Sequence, residues 1–324
     1  MFKLVFIIFF NLIFLPLYSF FAIACFLLAF IPIFPVRTAH ENVSSKLGYS
    51  GLKKHFFVTA VFLNYCFYFV EVIFFEVFQI RWMTFENEFK LSQYLTSLKA
   101  MYPKGATSGF TYLGCHFGNL ESYSSPIIEA NNEIQEVGLS SLAKRSKSKI
   151  MNKVFDRMRN RKGLSMIWTD QHMLKNMLVA IKTGNSMLYF ADQKPKSKGA
   201  FFKFFGEYSS FPTGGLKFSI QHNSIFVYMT SRRIIPGWFF YTFQGGKNLH
   251  LMDDTQTAAI KVISELKSSA LVGAEIYESH LSDNQNKFGY LEMSYYVKWL
   301  ENNIRKSATQ WCWDYRKWSR KPSE

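Results

Sequence analysis

The sequence lacks several features that define common enzyme and binding classes. Its four cysteines, Cys25, Cys66, Cys115 and Cys312, are scattered without metal-ligand spacing, which excludes a cysteine-rich zinc site. No G-x-S-x-G motif occurs, so the nucleophile elbow of α/β-hydrolases is excluded. Cys115 adjoins His116, but neighbours on a strand point to opposite faces, so they make a poor nucleophilic pair. Scattered thiols of this kind indicate a reducing compartment.

Acidic residues are also scarce. The 324 residues include 23 Asp and Glu against 38 Lys and Arg, a formal net charge of +15. This excess indicates an anionic partner, such as a lipid headgroup, an acidic membrane leaflet or an acidic carrier protein. Nucleic acid is the competing interpretation. No zinc-finger, RRM-like or basic-helix pattern supports it, so we expect no nucleic-acid partner.

Charged residues are absent from Leu4 to Val36. This apolar run exceeds the roughly 20 residues that span a bilayer. Three prolines interrupt it, which favours a tilted or kinked single span over a tight hairpin. The run continues well beyond a weak lipoprotein-like sequence at Cys25, so we expect an uncleaved anchor rather than a signal peptide. The predicted organisation is an anchor over residues 1–36 and one domain over residues 37–324.

The flanking charges predict the orientation of this anchor. Four basic residues follow it, namely Arg37, Lys46, Lys53 and Lys54, whereas only Lys3 precedes it. The basic excess places the large domain in the cytoplasm.

A second apolar stretch runs from Phe56 to Phe78. It carries Asn64, Glu71 and Glu76, and charges at bilayer depth cost several kcal/mol. We therefore expect a long helix packed on the domain or half-sunk at the interface, rather than another span.

Short apolar runs alternate with amphipathic segments through the rest of the chain. Expected strands cover residues 109–115, 136–142, 164–168, 186–191 and 224–229. Expected helices cover residues 85–100, 150–161, 174–182, 213–222, 255–269 and 290–305. This alternation predicts an α/β fold with a mainly parallel sheet flanked by helices. Chemistry in such folds lies beyond the carboxyl ends of strands, where His116 and Asp192 are expected.

His116 stands at a predicted strand end, with an acidic residue, Glu121, five positions further on. The spacing alone is a weak motif. Gly114 and Gly118 flank the histidine and allow close approach of backbone and substrate. With His116 in the turn and Glu121 in the first helical turn, the carboxylate can fix the imidazole tautomer for general-base catalysis. The alternative is a histidine held by local hydrogen bonds beside a solvated Glu121, and these residues alone favour neither.

Two further segments have both a functional and an ordinary interpretation. A basic run contains Lys144, Arg145, Lys147, Lys149, Lys153, Arg157, Arg159, Arg161 and Lys162. It fits a solvated helix face or a site for phosphates or an acidic carrier equally well. The Phe-rich segment 201–205 can line an acyl groove or dip into lipid. Core packing is favoured for at least two of its four rings.

These segments, in their order, resemble the lysophospholipid acyltransferase superfamily, and in particular the late lauroyl and myristoyl transferases of lipid A biosynthesis. The matching elements are the H-x4-E core at His116 and Glu121, R-x-R at Arg159 and Arg161, D-Q at Asp192 and Gln193, F-F-G at Phe204–Gly206, T-G at Thr213 and Gly214, and a tryptophan-rich tail from Gln310 to Trp318. The N-terminal anchor is shared. The sequence departs from the family near Ala308, where a proline is usual, and between Leu139 and Ser148.

The resemblance implies a glycerolipid acyltransferase-like fold and transfer of a fatty acyl chain from acyl carrier protein to a hydroxyl of a lipid A precursor, at the cytoplasmic face of a bacterial inner membrane. His116 would be the general base and Glu121 its orienting partner. Arg159 and Asp192 would form a buried pair, or position the thioester and phosphates. Residues expected to bind substrate are Asn119, Arg145, Arg161, Gln193, Gly206 and Thr213. No metal or organic cofactor is implied.

Two alternatives accompany this expectation. One is acyl transfer to another glycolipid or a phospholipid. The other is a non-catalytic lipid-binding protein on the same fold, which predicts that His116 and Glu121 are far apart or turned away from any groove.

Overall fold

The protein begins with a layer of apolar helices. The computed structural model describes residues 2–76, 80–85, 90–103, 109–169, 172–195, 199–252, 276, 287–319 and 322. Helices α1 (Phe2–Ile13) and α2 (Leu15–Leu28) are bent by 57° at their junction. Pro16 lies in the first turn of α2, where the missing N–H is tolerated and the preceding helix cannot continue. The uncharged run is therefore a broken pair of helices.

Helix α3 covers Phe34–Leu47, and α4 covers Gly51–Val70 before continuing as a π-helical turn, Glu71–Glu76. By length and composition, the helix from Gly51 to Phe75 is long and apolar enough to cross a membrane alone. The bent pair α1 and α2 counts as a second candidate if taken together.

Helix α4 has one polar and one apolar side. Asn64 and Glu71 both accept hydrogen bonds from the buried guanidinium of Arg233, which belongs to the α/β part of the chain. Phe56 and Phe69 on this helix are more than half exposed. The polar groups expected to oppose membrane insertion thus face the domain, and the apolar groups face outward.

A seven-stranded sheet forms the centre of the domain. The strands are β1 (Trp82–Phe85), β2 (Phe110–Gly114), β3 (Leu139–Ala143), β4 (Leu164–Trp168), β5 (Ser186–Phe190), β8 (Ile225–Ile235) and β9 (Trp238–Gly245). Strands β6 (Ala200–Phe204) and β7 (Glu207–Phe211) form a separate hairpin. Their order is β1-β9-β8-β2-β5-β3-β4. The five strands from β8 to β4 are mutually parallel, whereas β9 is antiparallel to β8. The predicted α/β class with a mainly parallel sheet is confirmed.

Hydrophobic clusters cover both faces of this sheet. Along β2 and β5, Leu113 and Tyr189 belong to one cluster, and their neighbours Tyr112 and Leu188 belong to the other. This alternation follows from the two-residue repeat of a strand. The remaining helices are α5 (Leu91–Met101), α6 (Ser124–Glu133), α7 (Lys149–Arg159), α8 (Met173–Lys182), α9 (Gly214–Gln221) and α10 (Lys287–Lys306).

Several elements differ from the expected pattern. The segment expected as a helix over residues 85–100 contains the end of β1 and only later α5. Strand β9 and the long extension of β8 were not expected, and the predicted helix 255–269 lies outside the described residues. The Phe-rich segment is strand β6 (Ala200–Phe204), paired with β7 (Glu207–Phe211). Phe202 and Phe204 are fully buried, as the core-packing interpretation expected.

Candidate active site

Strand register brings His116 and Asp192 together. Strands β2 and β5 are parallel neighbours, and Gly114 at the end of β2 lies opposite Phe190 at the end of β5. His116 and Asp192 each come two residues later, so they meet at the same edge of the sheet. The His116 ring Nδ1 is 2.7 Å from Asp192 Oδ1, and the His116 backbone N–H donates to Asp192 Oδ2 at 2.9 Å. Because a carboxylate only accepts, Nδ1 carries the proton.

Asp192 is buried as an ion. Its side chain has no exposed surface, and Oδ2 also accepts a hydrogen bond from the Trp311 indole Nε1 at 3.0 Å. Burial raises the pKa of Asp192, but the charge of His116 and the hydrogen bonds from His116 and Trp311 outweigh burial and hold the pKa below its usual range. The His116 side chain keeps 24% of its surface exposed, so the ring lies between a buried carboxylate and an open cavity.

A tight loop carries His116 away from the strand. Gly118 has φ +64°, and a Cβ there would lie 2.0 Å from the Ser231 carbonyl oxygen, so only glycine fits. Asn119 then caps the short 3₁₀ turn Leu120–Ser122 by accepting a hydrogen bond from the Glu121 N–H at 2.9 Å. This turn aims Glu121 at Arg159.

Glu121 and Arg159 form a bidentate ion pair. Arg159 Nε lies 3.0 Å from Glu121 Oε2, and Arg159 Nη2 lies 2.5 Å from Oε1. Burial lowers the pKa of Arg159, but its hydrogen bonds and charge pairing with Glu121 outweigh burial and raise the pKa. The expected pairing is thereby corrected. Asp192, rather than Glu121, holds the imidazole, and Arg159 pairs with Glu121 rather than with Asp192.

His116, Glu121 and Arg159 line a cavity of about 510 Å³. Its polar wall includes His116, Glu121, Arg159 and Lys144. Its apolar wall is supplied by strands β3 to β5 and helices α8 and α9, with Leu142, Met166, Met173, Leu174, Met177, Leu188, Phe190 and Leu216. An apolar chain whose reactive end is polar fits such a lining.

The residues expected to bind substrate occupy several positions. Thr213 is buried just before α9, and its neighbours Pro212 and Gly214 line the cavity. Gln193 follows Asp192 and is half-buried. Gly206 lies in the exposed β6–β7 turn with φ +82°, where it serves the hairpin.

Arg161 and Arg145 have structural partners. Arg161 donates to Ser125 Oγ at 2.8 Å and to the Met158 carbonyl, which ties the end of α7 to α6. The Arg145 guanidinium lies 4.1 Å from the ring centroid of Trp168, a cation–π contact at the protein surface.

A basic surface adjoins the cavity. Lys144, Arg145, Lys147, Lys149, Lys153, Arg157 and Lys162 are exposed on and around α7. Lys144 belongs both to this surface and to the cavity wall. The positive charge is therefore continuous with the site.

Sequence reasoning missed Trp311 as a site residue. It is 1% exposed and forms an antiparallel bridge with Phe117, next to His116. The only signal in the sequence was the tryptophan-rich composition of the tail. Cys115 is a poor candidate nucleophile, because it is fully buried and burial raises the pKa of its thiol well above its usual value.

The α/β domain has a His–Asp pair at the mouth of an apolar cavity, and exposed apolar helices are attached to it. These features are typical of a membrane-associated enzyme that acts on lipid. The sequence matches the family of bacterial lipid A biosynthesis acyltransferases over residues 2–267. The chain belongs to this family and is an acyltransferase that acts on a lipid A-type acceptor. No curated protein matches the chain.

Proposed function

We propose that this protein transfers a fatty acyl chain from acyl carrier protein to a hydroxyl group of a lipid A precursor, with His116 as the general base. The observation that carries the proposal is the His116–Asp192 pair at the polar end of the cavity. Asp192 holds the Nδ1–H tautomer, which leaves Nε2 as the basic nitrogen. The non-catalytic alternative is disfavoured because His116 and Glu121 line the same cavity.

The proposed reaction is a direct transfer. Nε2 of His116 takes the proton of the acceptor hydroxyl as its oxygen attacks the thioester carbonyl carbon. The tetrahedral intermediate then breaks its carbon–sulfur bond, and the leaving thiolate receives the proton from His116. The products are the ester and the free thiol of the carrier. Asp192 remains ionised and stabilises the transient imidazolium, as a buried carboxylate does in hydrolase triads.

The ion pair has a supporting role in this scheme. Glu121 fixes the Arg159 guanidinium through two hydrogen bonds, and both residues line the cavity. A fixed guanidinium can hold the thioester oxygen or an acceptor phosphate. Lys144 adds a second cation to this wall.

The apolar part of the cavity suits the acyl chain of the donor. Burial of apolar surface is worth roughly 25 cal/mol per Å². Contact with the apolar wall would thereby hold the acyl chain in place, with its carbonyl end at His116.

We place the anchor, residues 1–36, in the bacterial inner membrane and the catalytic domain, residues 37–324, on its cytoplasmic face. The exposed apolar side chains of α1 and α2, such as Phe9 and Phe20, support the membrane position. The basic residues that follow the anchor support the cytoplasmic side. The exposed charges around α7 suit an acidic carrier protein or the acceptor phosphates.

The proposal is tested with labelled lauroyl or myristoyl acyl carrier protein and a lipid A precursor, using membranes that contain wild type or His116→Ala. We expect transfer by wild type and loss in the variant, because no other histidine of the described residues lines the cavity. Equal transfer by both proteins would refute the role of His116. Mass spectrometry of lipids from a deletion strain separates a lipid A acceptor from another glycolipid or a phospholipid.

A further inference from the structure

The segment that follows α10 returns to the catalytic loop. The Gly118 N–H donates to the Gln310 carbonyl at 3.0 Å, and Phe117 pairs with Trp311 as an antiparallel bridge. The Gln310 side chain also bonds both backbone groups of Arg233, at 2.8 and 2.9 Å. The tail is thus fastened between the His116 loop and strand β8.

Trp311 makes one contact that backbone pairing does not require. Its indole N–H donates to Asp192 Oδ2 at 3.0 Å, and both side chains are buried. Of the three N–H groups that Asp192 receives, two belong to His116 and the third to Trp311. A buried carboxylate without water depends on such donors to remain ionised and to keep one rotamer.

We propose that Trp311 is a positioning residue for the reaction, because its indole N–H fixes Asp192 and, through it, the tautomer and orientation of His116. This inference rests on the proposed role of His116 as general base. The family match ends at residue 267, so this third N–H donor to the His116–Asp192 dyad comes from beyond the matched region. Trp311 is absent from the cavity lining described above, and it acts through Asp192.

The same tail supplies a matched control. Trp313 is fully buried, and its ring centroid is 5.0 Å from that of Trp311. Its indole N–H donates to the Ala308 carbonyl at 2.7 Å instead of to a carboxylate. Replacement of either tryptophan by phenylalanine removes a similar volume and one hydrogen bond, but only Trp311→Phe removes a donor from the dyad.

The test measures transfer from lauroyl acyl carrier protein to a lipid A precursor across a range of pH, with full-length Trp311→Phe and Trp313→Phe. We expect kcat of Trp311→Phe to fall roughly 10- to 100-fold, as loss of a hydrogen bond to a charged group predicts. The acidic limb of its pH–rate profile should move to higher pH, because the dyad binds a proton more tightly once the N–H dipole is gone. Trp313→Phe should leave that limb in place.

A third variant separates the indole N–H from the volume of the ring. Trp311 is replaced by benzothienylalanine, in which sulfur takes the place of N–H and the ring shape is kept. We expect the same fall in kcat and the same shift of the acidic limb. Wild-type kcat and profile in this variant would overturn the inference, as would a Trp311→Phe profile equal to that of Trp313→Phe.

His116→Ala in the same assay distinguishes the two levels of the proposal. If His116→Ala is as active as wild type, both the proposed function and this inference fail. If His116→Ala is inactive while the benzothienylalanine variant is unaffected, only the role of Trp311 fails.

Discussion

Asp192→Asn exchanges one oxygen for an amino group at the point where hydrogen bonds decide the histidine tautomer. Oδ2 faces two donors, the His116 backbone N–H and the Trp311 indole N–H, whereas Oδ1 faces only the His116 ring. The asparagine oxygen should therefore take the place of Oδ2, where it accepts both bonds. Its NH₂ group then points at His116 Nδ1 and forces that nitrogen to accept. The proton moves to Nε2, and the base is lost.

The expected fall in kcat follows from the free energy of the opposite amide orientation. That orientation keeps the active tautomer, but it places NH₂ against two buried N–H donors. Leaving each donor unsatisfied costs roughly 1–3 kcal/mol, hence about 2–6 kcal/mol for both. At about 1.4 kcal/mol per factor of ten, the active tautomer is depleted about 30- to 10⁴-fold. We expect kcat to fall by this factor.

The assay is acyl transfer at several pH values, with Asp156→Asn as the matched control. Asp156 is more than half exposed on α7 and takes no part in the dyad, so its variant should retain near-wild-type activity. Thermal unfolding checks that Asp192→Asn remains folded. A folded Asp192→Asn protein that keeps more than a tenth of the wild-type rate would refute the tautomer argument.

Three further predictions concern stability and specificity. Burial lowers the pKa of Lys317 to about 7. The buried Lys317 charge therefore destabilises the fold fully below that pH, and this effect fades as the pH rises toward the pKa of the unfolded chain, near 10.4. Lys317→Met should raise the free energy of unfolding by up to about 5 kcal/mol at low pH. A gain that does not vary with pH in urea unfolding would contradict this. Glu121→Ala leaves the Arg159 guanidinium without its carboxylate and should lower the free energy of unfolding by about 1–3 kcal/mol. Adding Arg159→Met in the same chain should restore part of this loss if the pair is coupled. Met177→Trp should fill part of the cavity and shift donor competition from myristoyl toward lauroyl chains, whereas Val179→Trp, on the exposed side of the same helix, should not. An unchanged preference in Met177→Trp would show that the acyl chain lies elsewhere.

The sequence predicted where the candidate catalytic residues stand but not how they pair. Both His116 and Asp192 were expected beyond strand ends, and both lie there. Local spacing favoured Glu121 as the partner of His116, since the two are close in the chain. The actual partner depends on β2 and β5 being neighbours with Gly114 opposite Phe190, and the order of strands is not encoded in any local pattern.

The hairpin β6–β7 was detectable from the sequence. Phe202 and Phe204 are buried while Lys203 is exposed, which is the two-residue alternation of a strand. Phe205 and Gly206 both have positive φ, as in a two-residue hairpin turn. The aromatic composition favoured core packing for at least two rings, with an acyl groove or a lipid-facing loop as the alternatives, but it did not predict a strand. The role of Trp311 had no comparable local pattern, because its contact is made across the whole fold.

One buried network joins helix α4 to the loop that carries His116. Glu71, in the π-helical turn after α4, forms a bidentate pair with Arg233 and also hydrogen-bonds Asn119, the residue that caps the Glu121 turn. Gln310 bonds the Arg233 backbone on the other side. Breaking a buried ion pair costs roughly 3–5 kcal/mol, so these elements hold one arrangement. Under the proposed membrane position, this network would couple the depth of α4 to the position of His116.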